Sequence, residues 1–187
     1  MRHKLFWGSS YDRGLDILLN MWPKIIEKYP DTLLVICYGW DMFIKGYANN
    51  PERMNWMERM EKLMKQKGIT HYGRVGKNAL KVLRKDSTIW AYPTYFCEIN
   101  CITALECQSD GVVPVVIKIG ALDETVQSGI KIEGDIYDEE TQDEFLQALY
   151  LLLGKPDKWK EESKKAKEFT RNYSWEKIAK EWGKQFE

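Results

Sequence analysis

The sequence predicts an α/β fold in which a parallel sheet of about six strands is covered by helices on both faces. Short apolar runs alternate with amphipathic stretches of helix length along the chain, which is typical of such sheets. Several of these runs end at or just before a glycine or a proline, as strands do where the chain turns. With 187 residues and an ordinary globular composition, the chain is predicted to form one domain.

The order of the predicted elements indicates a Rossmann-like core over about residues 1–140 and appended helices over about residues 141–187. The predicted strands are residues 4–7, 33–37, 69–72, 88–92, 112–117 and 130–132. The predicted helices are residues 15–26, 51–68, 78–85, 99–109, 141–153, 157–171 and 174–186. The run 33–37 is apolar at every position, as expected of a central strand buried on both faces.

Prolines and glycines set several boundaries in this prediction. Pro23 interrupts the apolar spacing of the first helix and predicts a kink there. Pro51 stands at the first turn of the next helix and Gly68 just past its end, a common asymmetry of helices. Residues 40–50, rich in aromatic residues, Gly and Asn, are predicted to form a loop.

Charge and hydropathy exclude several classes of function. The chain carries 28 Lys and Arg against 28 Asp and Glu, so no overall field favours nucleic acid or an anionic membrane surface. Its apolar runs are far shorter than the roughly 20 residues that a membrane-spanning helix needs. Because the sequence shows no signal-type apolar stretch at its start, a cytoplasmic location is expected.

The cysteines are predicted to be reduced structural thiols rather than metal ligands. Cys97, Cys101 and Cys107 cluster around one predicted helix, and Cys37 lies in a buried strand. Their spacing matches no zinc pattern, and the two histidines lie far away in sequence. No metal site is therefore expected.

The segment from Glu98 to Glu106 carries the most chemical information. The two glutamates are separated by seven residues at the start of a helix that follows a strand. Such a helix directs its free amides into the crevice where open α/β sheets bind ligands, and Asn100, Cys101 and Ile102 would supply those amides to a phosphate. The alternative from spacing alone is that Glu98 caps the helix and Glu106 is solvated on its outer face.

An ordered series of motifs resembles the C-terminal domain of the retaining glycosyltransferases of family four, which have the GT-B fold. The series contains Arg13-Gly14 at a helix start, Tyr29-Pro30 before a strand, His71-Tyr72-Gly73-Arg74-Val75, the two glutamates with seven residues between them, Gly111-Val112-Val113-Pro114-Val115-Val116, Gly120-Ala121-Leu122-Asp123-Glu124, and Tyr173-Ser174-Trp175. The resemblance covers nearly the whole chain.

This resemblance implies a donor site for a nucleoside-diphosphate sugar that needs no metal ion. It implies that Glu106 binds the ribose hydroxyls, that Glu98 faces the sugar hydroxyls, and that the amides from Asn100 onward hold the diphosphate. Arg13 would neutralise the departing diphosphate, so that Arg13 and Glu98 are the catalytic candidates. Gly8 and Ser9 would line the first loop, and Gly73, Arg74 and Val75 would hold the base.

Two positions depart from the family's pattern. Ser9 stands where a second basic residue is usual, and Arg74, Lys77 or Lys118 are the candidates to replace that charge. Residues 99–101 are bulkier than the small residues usual there. The Gly120 loop is equally compatible with a sugar contact and with a plain connection.

GT-B enzymes carry their acceptor site on a second, N-terminal domain, to which nothing in this chain corresponds. We therefore expect a hexosyltransferase of glycan biosynthesis that is inactive or weak without an acceptor domain or partner chain. The apolar face of the last helix, with Trp175, Ile178, Ala179 and Trp182, either docks on that partner or packs on its own domain. The alternatives are a catalytically decayed GT-B-type binding or scaffold module and, less favoured, a cofactor-binding or response-regulator-like domain.

Overall fold

A computed structural model describes residues 3–186 as one six-stranded parallel sheet with the strand order β3-β2-β1-β4-β5-β6. The strands are β1 (Lys4–Trp7), β2 (Leu33–Cys37), β3 (Ile69–Gly73), β4 (Ile89–Tyr92), β5 (Val113–Ile117) and β6 (Ile130–Ile132). The strand order reverses between β1 and β4, where doubly wound sheets open a crevice at their carboxyl ends. The predicted Rossmann-like fold is therefore confirmed.

Helices cover both faces of this sheet. The helices are α1 (Leu15–Lys28), α2 (Asp41–Tyr47), α3 (Pro51–Leu63), α4 (Lys77–Lys85), α5 (Ile102–Asp110), α6 (Leu122–Thr125), α7 (Glu139–Gly154), α8 (Pro156–Thr170) and α9 (Trp175–Gly183). The helix α1 contacts α3 and α7, whereas α5 contacts α4 and α8. Every residue of β4 and β5 is buried, as expected of strands packed on two sides.

The helix α1 passes through Pro23 without a break, because the carbonyl that the proline leaves free finds another donor. Proline has no N–H for the carbonyl four residues earlier, which belongs to Leu19. The side-chain amide of Gln66 donates to that carbonyl at 2.9 Å. The helix α1 thus keeps its apolar face on the sheet from Leu15 to Ile25.

The main differences from the sequence prediction concern α2, α3 and α5. The predicted loop 40–50 contains the helix α2, whose Phe43 packs against the rings of Trp40 and Trp56. The helix α3 ends at Leu63, several residues before the predicted end near Gly68, and residues 64–68 form turns instead. The helix α5 begins at Ile102 rather than at residue 99, so Glu98 lies in the loop before it.

The C-terminal helix α9 is amphipathic, but none of its residues is buried in the domain. Trp175 and Trp182 are 87% and 65% exposed. The alternative that their face packs on its own domain is therefore wrong for these two tryptophans. Among residues 3–186, the helices are too short or too polar to span a membrane.

Candidate functional site

The loops that follow β1 and β4 pack closely against each other at the point where the strand order reverses. Gly14 joins a 3-10 turn at Tyr11–Arg13 to α1 with a φ of 103°, a conformation that favours glycine. A Cβ atom at Gly14 would lie 2.3 Å from the carbonyl oxygen of Pro93, the residue after β4. This close approach brings Arg13 against the loop that carries Glu98.

Replacing Gly14 with alanine is expected to lower the free energy of unfolding by at least about 2 kcal/mol, because the side chain meets both a left-handed backbone and the Pro93 carbonyl. Urea unfolding measures the loss. The matched control is Gly46→Ala, in which the new methyl group meets no atom within 4 Å on α2. The control variant is expected to be as stable as the native chain or more stable. Equal losses in the two variants would contradict the conclusion that the close approach of Gly14 to Pro93 excludes a side chain there.

Four side chains form one hydrogen-bonded chain at this crevice. Arg13 Nη1 donates to Glu98 Oε1 at 3.0 Å, and the Tyr92 hydroxyl donates to the same oxygen at 2.8 Å. The Ser9 hydroxyl lies 3.2 Å from the Tyr92 hydroxyl. Glu98 is only 8% exposed, so these donors replace hydrogen bonds that its side chain would otherwise make to water.

Arg13 is held on two sides. Its guanidinium carbon lies 4.0 Å from the centre of the Phe96 ring, and Glu98 occupies its other side. Partial burial works to lower the pKa of Arg13, but the charges of and hydrogen bonds to Glu98 and Tyr92 together outweigh it, and the pKa lies above its usual value. The guanidinium is thus a fixed cation with a third of its side-chain surface exposed to the crevice.

The backbone of Glu98 is fixed by the loop after β5. The Ala121 amide donates to the Glu98 carbonyl at 2.7 Å. A Cβ atom at Gly120, where φ is 52°, would come within 2.6 Å of that same carbonyl oxygen. The Gly120 loop therefore supports the main chain of Glu98, a role that sequence reasoning did not assign to it.

Of the three amides predicted to face a phosphate, only that of Ile102 lies in the first turn of α5. Cys101 is the capping residue and Asn100 precedes it, so the predicted helix start at residue 99 is wrong. The bulky side chain of Ile99 is 96% exposed and that of Ile102 is 64% exposed, so neither fills the space under the helix end. Burial raises the pKa of the Cys101 thiol to about 11, which keeps the sulfur protonated.

A family model described as glycosyl transferases group 1 matches residues 9–172, which include all of the crevice residues described above. The chain belongs to this glycosyltransferase family. An uncharacterized glycosyltransferase from Haemophilus influenzae is 24% identical over 186 residues, which cover 91% of this chain and 44% of that protein.

Two solved structures place this glycosyltransferase chain within the GT-B fold. Sucrose-phosphate synthase from Thermosynechococcus elongatus matches with a TM-score of 0.76 and 19% identity over 98% of this chain and 44% of that one. The pneumococcal O-GlcNAc transferase GtfA, solved with UDP and GlcNAc, matches with a TM-score of 0.75 and 12% identity over 98% of this chain and 35% of that one. The chain thus spans less than half the length of these relatives, consistent with the C-terminal half of a GT-B fold.

The second glutamate of the glycosyltransferase motif is engaged by a buried arginine. Arg84 on α4 donates from Nη1 to Glu106 Oε2 at 2.6 Å and from Nε to Asp110 Oδ2 at 2.8 Å. The side chains of Arg84 and Asp110 are each 7% exposed, whereas that of Glu106 is 49% exposed. Within residues 3–186, Glu106 Oε1 has no hydrogen-bond partner and remains available to a ligand.

The cavity beside Glu106 has a volume of about 610 Å³. Asn100 and Ile102 line it at the start of α5, and Tyr173, Trp175 and Ile178 line it from the C-terminal segment. It therefore joins the start of α5 to the exposed apolar face of α9.

The three residues predicted to hold the base lie at the end of β3, at the same carboxyl edge of the sheet. Gly73 turns with a φ of 64°, Arg74 is exposed, and Val75 packs partly into the core. A Cβ atom at Gly39 would lie 2.8 Å from the Arg74 amide nitrogen, so the turn after β2 packs closely on this loop.

Lys118, Arg74 and Lys77 were the candidates to replace the second basic residue usual in the family, and they differ in whether an acidic side chain already pairs with them. Lys118 is paired with Glu133 at 2.7 Å. Neither Arg74 nor Lys77 forms an ion pair with any residue in the described range 3–186. Gly8 and Ser9 lie directly after β1, where Ser9 offers only its hydroxyl.

The His, Cys, Asp and Glu side chains bear on the prediction that no metal site is present. Within residues 3–186, no group of three or more His, Cys, Asp or Glu residues lies close enough to hold a metal ion. Cys37, Cys101 and Cys107 are buried free thiols, and Cys97 is an exposed one. That transfer needs no metal remains a prediction.

Proposed function

We propose that this glycosyltransferase domain binds a nucleoside-diphosphate sugar at the crevice between β1 and β4 and acts as the donor half of a retaining hexosyltransferase. The convergence of Arg13, Glu98 and the start of α5 at that crevice carries the proposal. A cation, a carboxylate and a helix N-terminus are the groups that a diphosphate joined to a polyhydroxylated sugar requires.

Each residue has a role that its geometry allows. Arg13 exchanges its bond to Glu98 for one to the diphosphate and stabilises the negative charge that develops as the sugar leaves. Glu98 accepts hydrogen bonds from the sugar hydroxyls through Oε2, which has no partner within residues 3–186. Glu106 accepts from a ribose hydroxyl through Oε1, while Arg84 holds Oε2.

Two matching structures that were solved with nucleotides support a nucleotide ligand. The pneumococcal O-GlcNAc transferase was solved with UDP and GlcNAc, and the catalytic domain of starch synthase IV from Arabidopsis thaliana was solved with ADP and acarbose. By extension, the present protein would bind a sugar donor in the cytoplasm. The acceptor would be held by another domain or chain. Transfer by this chain alone would then be weak, because the acceptor site is supplied from outside it.

Calorimetric titration of the chain with UDP, ADP and GDP and with their sugar conjugates tests this proposal. At least one diphosphate is expected to bind, and Glu106→Ala is expected to weaken that binding roughly tenfold, because one charge-assisted hydrogen bond is lost. The matched control is Glu140→Ala, which removes an exposed carboxylate at the start of α7 and should leave binding unchanged. Absence of heat with every nucleotide would contradict the proposal.

A catalytically decayed binding or scaffold module is the second candidate. Ser9 supplies no charge where the family usually has a cation, and Arg84 already occupies one oxygen of Glu106. This alternative predicts a folded chain that binds no nucleoside diphosphate, and the same titration therefore separates the two functions.

A further inference from the structure

Tyr92 is the last residue of β4, and its hydroxyl lies at the centre of the hydrogen-bonded chain. The residue is fully buried, yet its hydroxyl lies 2.8 Å from Glu98 Oε1 and 3.2 Å from Ser9 Oγ. The sequence predicted Tyr92 only as the apolar end of a strand, and no role was assigned to it. Its hydroxyl is nonetheless the only neutral group in residues 3–186 that donates a hydrogen bond to the Glu98 side chain.

The direction of these hydrogen bonds follows from the chemistry of the groups. An ionised carboxylate only accepts, so the Tyr92 hydroxyl donates to Glu98 and its oxygen accepts from Ser9. Burial, with the nearby Glu98 charge, raises the pKa of Tyr92 well above its usual value, so the phenol remains protonated.

The ring of Tyr92 is fixed by aromatic neighbours. Trp90 stacks on it with ring centres 4.8 Å apart, and Trp7 packs at 5.1 Å. Both tryptophans are fully buried. The hydroxyl therefore has one position, and Glu98 receives its hydrogen bond from a donor that does not move.

We propose that Tyr92 is a positioning residue that keeps Glu98 directed at the sugar of the donor when Arg13 turns to the diphosphate. This assignment rests on the proposed function. Arg13 and Tyr92 share Oε1 in the absence of a ligand, so the departure of Arg13 leaves Tyr92 as the single donor to that oxygen. Ser9 then orients the phenol instead of supplying the charge of the usual basic residue.

The test compares how tightly the whole chain and its Tyr92→Phe variant bind a diphosphate and the matching sugar nucleotide. With UDP, ADP and GDP and their glucose, N-acetylglucosamine and mannose conjugates as probes, the variant is expected to lose roughly tenfold in affinity for the sugar nucleotide. Its affinity for the diphosphate is expected to change less than about twofold, because the proposal gives the phenol no bond to the phosphates and the neighbouring Arg13 keeps its charge when the phenol is removed. In a Glu98→Gln background the same substitution is expected to add no further loss.

The control is Tyr29→Phe, which removes a phenol bound to the Tyr150 carbonyl at 3.2 Å, away from the crevice, and is expected to leave both affinities unchanged. Ser9→Ala, which keeps the ring and the strand intact, is expected to produce a smaller loss confined to the sugar nucleotide. The role of Tyr92 would be overturned if Tyr92→Phe lost affinity equally for the diphosphate and for the sugar nucleotide. It would also be overturned if neither Tyr92→Phe nor Ser9→Ala lost affinity for the sugar nucleotide. Failure of the native chain to bind any probe would instead overturn the proposed function, and this assignment with it.

Discussion

Replacing Arg13 with alanine is expected to weaken binding of a nucleoside diphosphate roughly a hundredfold, because a fixed charge-assisted donor is lost and the buried Glu98 carboxylate is left beside the phosphates. In the presence of an acceptor domain, sugar transfer should fall by about two orders of magnitude or more, since the cation also stabilises the leaving diphosphate. Arg13→Lys should recover only part of the loss, because an ammonium group lacks the planar fork that bonds Glu98 and stacks on Phe96.

Calorimetry with the probes named above measures this effect, and circular dichroism verifies that the variant is folded. The matched control is Lys24→Ala, which removes one positive charge from α1, away from the crevice, where Lys24 is 65% exposed and 3.7 Å from Asp143. Unchanged affinity in Arg13→Ala would show that the diphosphate is bound elsewhere on the domain.

Replacing Arg84 with alanine is expected to lower the free energy of unfolding by about 3–5 kcal/mol, because it leaves Asp110 buried without its closest cation. For a domain of this size, that loss corresponds to a fall in Tm of roughly 6–20 °C. The substitution also frees Glu106, so the stability loss is expected even if nucleotide binding improves.

Urea unfolding and thermal denaturation measure the change. The neighbouring Lys85 provides the control, since its ammonium lies 3.7 Å from Asp110 but is 54% exposed, and Lys85→Ala is expected to cost less than about 1 kcal/mol. Similar losses in the two variants would argue that general charge balance around α4, rather than the buried bond, stabilises the pair.

Much of the fold was predictable from the sequence because its strands are strongly apolar. The run Leu33–Cys37 and the strand ending at Tyr92 are short apolar runs that are compatible with few structures other than a buried strand. The order of such runs along the chain already indicates a parallel sheet. The helix α2 was missed because its stability comes from rings distant in sequence, such as that of Trp56, rather than from local propensity. The start of α5 was placed too early because no strong capping residue marks it.

The candidate site was predictable only where a motif carried it. Arg13 and Glu98 were singled out by their order along the chain, and the structure brings them within hydrogen-bond distance. Arg84 and Tyr92 were not found, because an arginine in a charged helix and a tyrosine in an apolar strand give no local sign of a buried partner. The Arg84 bond to Glu106 joins α4 to α5, and the Tyr92 contact with Ser9 joins β4 to the loop after β1, so both depend on elements that become adjacent only in the finished sheet.

The backbone contacts at Gly14 and Gly120 have a thermodynamic consequence for ligand capture. Gly14 allows the start of α1 to pack on Pro93, and Gly120 allows the loop after β5 to pack on the Glu98 carbonyl. Three chain segments therefore meet at the crevice through main-chain atoms. The entropy lost in ordering these segments is a cost of folding and is not incurred again on binding. A ligand arriving at this edge therefore encounters a preorganised surface.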